Sequence, residues 1–143
     1  MKISENFSLE EFTFSQTASR NGWDNTPPES VAMNLIRIAN LLEQVRSVTG
    51  KPIQVTSGYR SKTLNQAIGS SETSQHRLGC AADIKVAGMT PDQVVKAIID
   101  SDIQYDQLIR EFDSWVHISV PSCIGDEPRR QALIIDRSGT RYF

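Results

Sequence analysis

The sequence predicts an α+β fold, a small antiparallel sheet flanked by helices in a single domain. Two observations carry this. Helical signals dominate the first half of the chain, and strand-like runs cluster in the second half. The connections between those late runs are short, which favours antiparallel pairing. A length of 143 residues suits one hydrophobic core and leaves little room for a second.

The elements follow in order. The stretch NFSLEEF predicts a short helix capped by Ser8, with Glu10 and Glu11 at its positive end. With the turn-rich ASRNGWDNTPP it makes residues 1–27 an N-terminal segment ahead of a core at 28–143. Pro28 is placed for a helix start, where a missing N–H costs little. Val31, Leu35, Ile38, Leu42 and Val45 then recur at steps of three and four, so this helix buries one face before Gly50 and Pro52 end it. PIQVTS predicts a strand, SGYRSKTLNQAIG a turn and a short helix, and CAADIKV a second strand. TPDQVVKAIIDS has Thr90 at its cap, Pro91 at the first helical position and Gln93 three residues after the cap. YDQLIRE and WVHISV predict two strands joined around Phe112 to Ser114, and QALIID with RSGTRYF a last hairpin turning at Ser138-Gly139.

Composition narrows the function. Hydrophobic residues are 38% of the chain and charged residues 22%, ordinary globular values, and the net charge of −2 offers no footprint for nucleic acid. No apolar run approaches the ~20 residues of a membrane span. MKISENFSLEEF lacks the apolar core of a signal peptide, so the expectation is synthesis in the cytoplasm and a monomer. Cys80 and Cys123 match no CxxC pattern and are expected as reduced, mostly buried thiols. Arg129, Arg130, Arg137 and Arg141 predict a solvated basic edge.

The chemistry concentrates in SSETSQHRLGCAADIKV, where His76 precedes Asp83 by seven residues with Gly79 between them. In AADIKV, alternation sets Asp83 against Ala82, Ile84 and Val86 on the opposite face. A carboxylate in such a half-buried strand costs several kcal/mol unless it is paired or bound to a metal. In WVHISV the same period puts Trp115, His117 and Ser119 on one face and Val116, Ile118 and Val120 on the other. A turn carrying His76, reversed at Gly79, can deliver it beside Asp83. Two imidazoles and one carboxylate make three ligands with a fourth position open, the pattern of a catalytic zinc site.

Three motifs in order, SGYR, then SQH with its glycine three residues on and its aspartate seven on, then WVH, resemble the zinc D-Ala-D-Ala peptidases of the M15 class, above all their small, often phage-encoded branch. The likeness spans Ser57 to Ser119, and DNTPP with the helix after it extends it over most of the chain. It implies the fold shared by hedgehog signalling domains and D,D-peptidases, one catalytic zinc ion held by His76, Asp83 and His117, and a peptidoglycan or muropeptide substrate. A phage lysis enzyme or virion-associated lysin is the natural setting. Arg60 is the candidate for steadying developing charge or holding a substrate carboxylate. Ser57, Tyr59, Gln75 and Trp115 are candidate substrate contacts, and Ser74 and Gln75 alternatively support the ligands from behind. The chain departs from better-known relatives three positions before the last zinc histidine, where an acid is expected and Ser114 stands. Glu111 and Asp113 are the candidate general bases in its place, sharing a face with Trp115 and His117 if the strand runs unbroken. The rival reading is an inert zinc-bearing module for wall binding or phage structure.

Overall fold

The computed structural model describes residues 1–143. Six strands form one open sheet in the order β1-β2-β4-β3-β5-β6: β1 (Ile53–Ser57), β2 (Ala81–Val86), β3 (Gln107–Glu111), β4 (Trp115–Ser119), β5 (Gln131–Asp136) and β6 (Gly139–Tyr142). The helices are α1 (Leu9–Thr13), α2 (Gln16–Asn21), α3 (Glu29–Thr49), α4 (Lys62–Ala67) and α5 (Pro91–Ile99), with a 3-10 turn at Gln75–Leu78. This is the α+β class the sequence predicts.

Sequence periodicity explains the core. Val31, Leu35, Ile38, Leu42 and Val45 of α3 join Val94, Val95 and Ile98 of α5 in one buried cluster. Ala82, Ile84 and Val86 from β2, and Val116 and Ile118 from β4, complete it from one face of the sheet. Period-two alternation therefore turns Asp83 and His117 to the other face. The helix ends obey their local signals. Ser8 N–H donates to the Glu11 carboxylate at 2.7 Å. At α5, Thr90 and Gln93 satisfy each other's backbone N–H groups at 2.9 and 3.2 Å.

Four expectations need correction. Residues 16–21, expected within or beside a turn-rich stretch, form α2, because Ser15 caps it by accepting from Ala18 N–H. Antiparallel pairing is not universal, since β5 runs parallel to β3. The inner edge of β3 is taken by β4, and residues 120–130 carry the chain back to where β3 begins, so β5 starts level with it. Arg129 and Arg130 are exposed, as a solvated basic edge requires, and they also anchor that return. Arg129 grips buried Asp106 through its backbone N–H, Nε and a terminal nitrogen at 2.7–3.0 Å, and Arg130 lies over the Tyr105 ring at 5.1 Å. The last hairpin pairs Asp136 with Gly139, so its turn is Arg137-Ser138, one residue earlier than expected. Both cysteines are free thiols, but only Cys80 is buried as expected; Cys123 is exposed because it lies in the loop between β4 and β5.

Leu42 is fully enclosed in the α3 face. Replacing it with alanine is expected to cost about 2–5 kcal/mol of stability, read as a lower urea midpoint with little change in slope.

Candidate metal centre

Strand pairing builds two thirds of the cluster. Antiparallel β2 and β4 place Asp83 directly opposite His117, and β3 sets Ile109 beside His117 on the far side. On the near side, β1 slips register between Val55 and Ser57. That bulge keeps Val55 against the core while bringing Ser57 level with Asp83.

His76 arrives from outside the sheet, on the 3-10 turn that Ser74 caps by accepting the His76 N–H at 3.3 Å. Gly79 closes that turn at φ 73°. A side chain there would be strained and would come within 2.8 Å of Val31 Cγ1 and 2.9 Å of its carbonyl oxygen. The SGYR turn holds His76 from the other side. The Arg60 N–H donates to the His76 carbonyl at 3.1 Å, and His76 Nδ1 meets the Gly58 carbonyl at 2.7 Å.

Asp83 Oδ1 lies 3.3 Å from His76 Nε2 and 3.1 Å from His117 Nδ1. All three side chains are buried, and their ligand atoms lie within 4.8 Å of one another. The rings meet edge to face with centroids 5.1 Å apart. A carbonyl oxygen only accepts, so His76 Nδ1 carries the proton that binds Gly58. Burial, the largest influence on His76, lowers its pKa against the opposing pull of Asp83 and favours the neutral ring. A neutral His76 then turns the lone pair of Nε2 toward a carboxylate oxygen, two acceptors face to face with no proton between them. A cation resolves that conflict. Burial also disfavours the Asp83 carboxylate, but the groups around it, the His117 ring first, outweigh burial and hold its pKa well below the usual range. A tetrahedral ion about 2.0–2.2 Å from each donor keeps its ligands about 3.4 Å apart, close to the separations of Asp83 from both rings. The donor set fits a metal.

The remaining predicted site residues fall into two groups. Arg60, Ser57, Glu111 and Trp115 lie around the cluster. Arg60 donates to Asp83 Oδ2 at 3.3 Å, to Ser57 Oγ at 3.2 Å and to Ser70 Oγ at 3.4 Å. Glu111 and Trp115 end β3 and β4 opposite each other, and Trp115 Nε1 donates to Glu111 Oε2 at 2.9 Å. Burial, and next the negative charge of Asp83, raise the Glu111 pKa above the ordinary carboxylate range, with His117, Trp115 and Arg60 opposing. Tyr59 is buried and, with Thr56, Ser57, Arg60, Leu64 and Phe14, lines a cleft of about 310 Å³.

Two residues lie elsewhere. The face that Asp113 was expected to share is broken by the hairpin turn, where Phe112 and Asp113 adopt φ 51° and 58° and Asp113 is exposed. Gln75 spends its Nε2 on Asp106, the Val120 carbonyl and Ser122 Oγ at 3.0–3.1 Å, tying the 3-10 turn to the loop after β4. The sequence reading missed Ser70, Asp106 and Asn25. Only Asn25 carried a local signal, in DNTPP.

Two imidazoles and a carboxylate converging from a sheet and an adjoining turn, with a half-buried glutamate of raised pKa close by, make a metallohydrolase type of centre. The family model for Peptidase M15 matches residues 5–119, and the chain belongs to that family of metallopeptidases. No curated protein matches the chain. The matched segment ends with β4, so the β5–β6 hairpin lies beyond it.

Asp83→Ala and His76→Ala are each expected to weaken metal binding by more than about a hundredfold, since even residues supporting a ligand contribute about ten- to a hundredfold. Equilibrium dialysis against zinc or cobalt measures this, and unchanged metal content in both variants would remove the site assignment.

Proposed function

We propose that this chain is a zinc metallopeptidase that hydrolyses peptide bonds in the stem peptides or cross-links of bacterial peptidoglycan, as a D,D- or L,D-carboxypeptidase or endopeptidase. Membership of the Peptidase M15 family supports the peptidase part of this reading. The carrying observation is the juxtaposition of the buried His76–Asp83–His117 cluster with the raised carboxyl of Glu111. A phage lysis enzyme is the setting that the sequence resemblance implies. No helix is long and apolar enough to cross a membrane.

His76, Asp83 and His117 would hold the ion. Zinc, when bound, supplies Lewis acidity that polarises the scissile carbonyl and acidifies water. Glu111 accepts the proton of the attacking water and returns it to the leaving amine. Its raised pKa keeps it basic enough for the first step and acidic enough for the second. Trp115 holds the Glu111 carboxylate through Nε1 and so limits its rotamers. Arg60 presents a permanent positive charge beside Asp83, where it can stabilise charge developing on the carbonyl oxygen. Ser57 and Tyr59 belong to the cleft that would take the substrate, whereas Gln75 acts behind His76.

The second reading, an inert zinc-bearing module, is favoured by one observation, Ser114 at the position where relatives carry an acid. Glu111, opposite Trp115 across the hairpin, supports the peptidase reading as the acid in its place. Assay of purified peptidoglycan for new amino or carboxyl termini separates the two. Zinc-loaded wild type is expected to release them, and Glu111→Gln to lower the rate by about 10²–10⁴-fold while retaining the metal. Asp113→Asn is expected to stay close to wild type. No release by the zinc-loaded wild type would favour the inert module.

The pH dependence has a definite sign. Burial raises the Glu111 pKa in the ion-free centre and a bound cation would oppose that rise; in either case the base must be ionised to act, so the rate should fall as pH drops and Glu111 takes up a proton. The measurement is kcat/KM against pH, and the acid limb should be lost from the residual rate of Glu111→Gln.

A further inference from the structure

The DNTPP segment, which links α2 to α3, has no part in the site as described so far. Its Asn25 is half-buried and uses its whole amide. Nδ2 donates to the Thr13 carbonyl at 2.8 Å and to the Tyr59 carbonyl at 3.0 Å, while Oδ1 accepts from the Ser61 N–H at 2.8 Å. Two partners only accept and one only donates, so the amide has a single satisfied orientation. Tyr59 and Ser61 flank Arg60. One planar side chain thus grips the backbone immediately before and immediately after the arginine that faces Asp83.

The guanidinium itself is held loosely. Its three hydrogen bonds are 3.2–3.4 Å long, at the weak end of the range. The shorter bonds are on the backbone around it. Besides the two from Asn25, Tyr59 N–H donates to the Phe12 carbonyl at 2.7 Å, and Arg60 N–H to the His76 carbonyl at 3.1 Å. Gly58 lets the turn come this close, because a Cβ there would overlap the Phe12 carbonyl oxygen and lie 2.7 Å from its Cα. A long arginine side chain has many rotamers, and where its weak contacts act depends on where its backbone is fixed.

We propose that Asn25 is a positioning residue for Arg60, acting through the Tyr59 carbonyl and the Ser61 amide, so that the N-terminal helices are part of the catalytic apparatus. This rests on the reading of Arg60 as the group that stabilises charge at the centre. Asn25 touches none of His76, Asp83 and His117 and does not itself line the cleft, so it should affect turnover and leave the metal in place.

The test uses the full zinc-loaded chain with Asn25→Ala and the near-isosteric Asn25→Asp, whose carboxylate would face two carbonyl oxygens. Hydrogen exchange of the Arg60 Nε–H, followed by NMR, is expected to speed up about tenfold or more in both variants. Zinc affinity should stay close to wild type. On peptidoglycan, kcat should fall roughly ten- to a hundredfold. In an Arg60→Ala background, adding Asn25→Ala should cost less than about a further twofold. Unchanged Arg60 exchange in both variants, or losses that multiply fully in the double variant, would overturn the proposal. If wild type shows no hydrolysis, the peptidase reading fails separately, and the exchange measurement still decides whether Asn25 positions Arg60.

Discussion

The carboxylate of Asp83 is buried in β2 between two core-facing residues, Ala82 and Ile84, and faces two imidazoles with one of its oxygens. Taking such a charge out of water costs several kcal/mol before any partner is counted. Everything around the centre follows from meeting that cost. His117 stands opposite on β4, His76 is brought in from a turn, and Arg60 takes the second carboxylate oxygen. A cation among the three donors would complete the compensation, since neutral His76 has no proton to offer on the side facing Asp83.

The surrounding backbone serves the same end. Alternation along β2 and β4 lets these strands supply apolar side chains to α3 and α5 while the ligands emerge on the other face. The two glycines that matter are places where backbone must touch backbone. Gly79 lets the 3-10 turn lie on α3 at Val31, and Gly58 lets the SGYR turn lie on α1 at Phe12. Because the turns carrying His76 and Arg60 bond to each other and to the helices, the ligand, the arginine and the hydrophobic core are mechanically connected. Asp106, Arg129 and Gln75 extend this connection behind His76 to the start of β5.

The α3 stripe, the Thr90 capping box and the alternation around Asp83 and His117 were legible because each depends on residues within one or two turns of each other. The candidate ligands Asp83 and His117 were legible for a related reason: a carboxylate and a histidine set into apolar strands conflict with their surroundings unless something pairs them. The choice between Glu111 and Asp113 was not legible from alternation alone. It turns on the left-handed residues Phe112 and Asp113, which end β3 early and leave Asp113 in solvent. The partners of Gln75 and Arg129 were illegible for the same reason, since Asp106, Val120 and Ser122 are far away in sequence.

By itself, then, the sequence determined the α+β class, the buried helix face and the polar residues set into β2 and β4 that meet in the His76–Asp83–His117 cluster, because periodicity and burial are written into neighbouring residues. Tertiary structure alone decided that β5 runs parallel to β3, that Glu111 meets Trp115 beside the cluster, and that Asn25 clasps both neighbours of Arg60. Those are contacts between segments remote in the chain, and which partners meet depends on how the strands pair and where the turns pack.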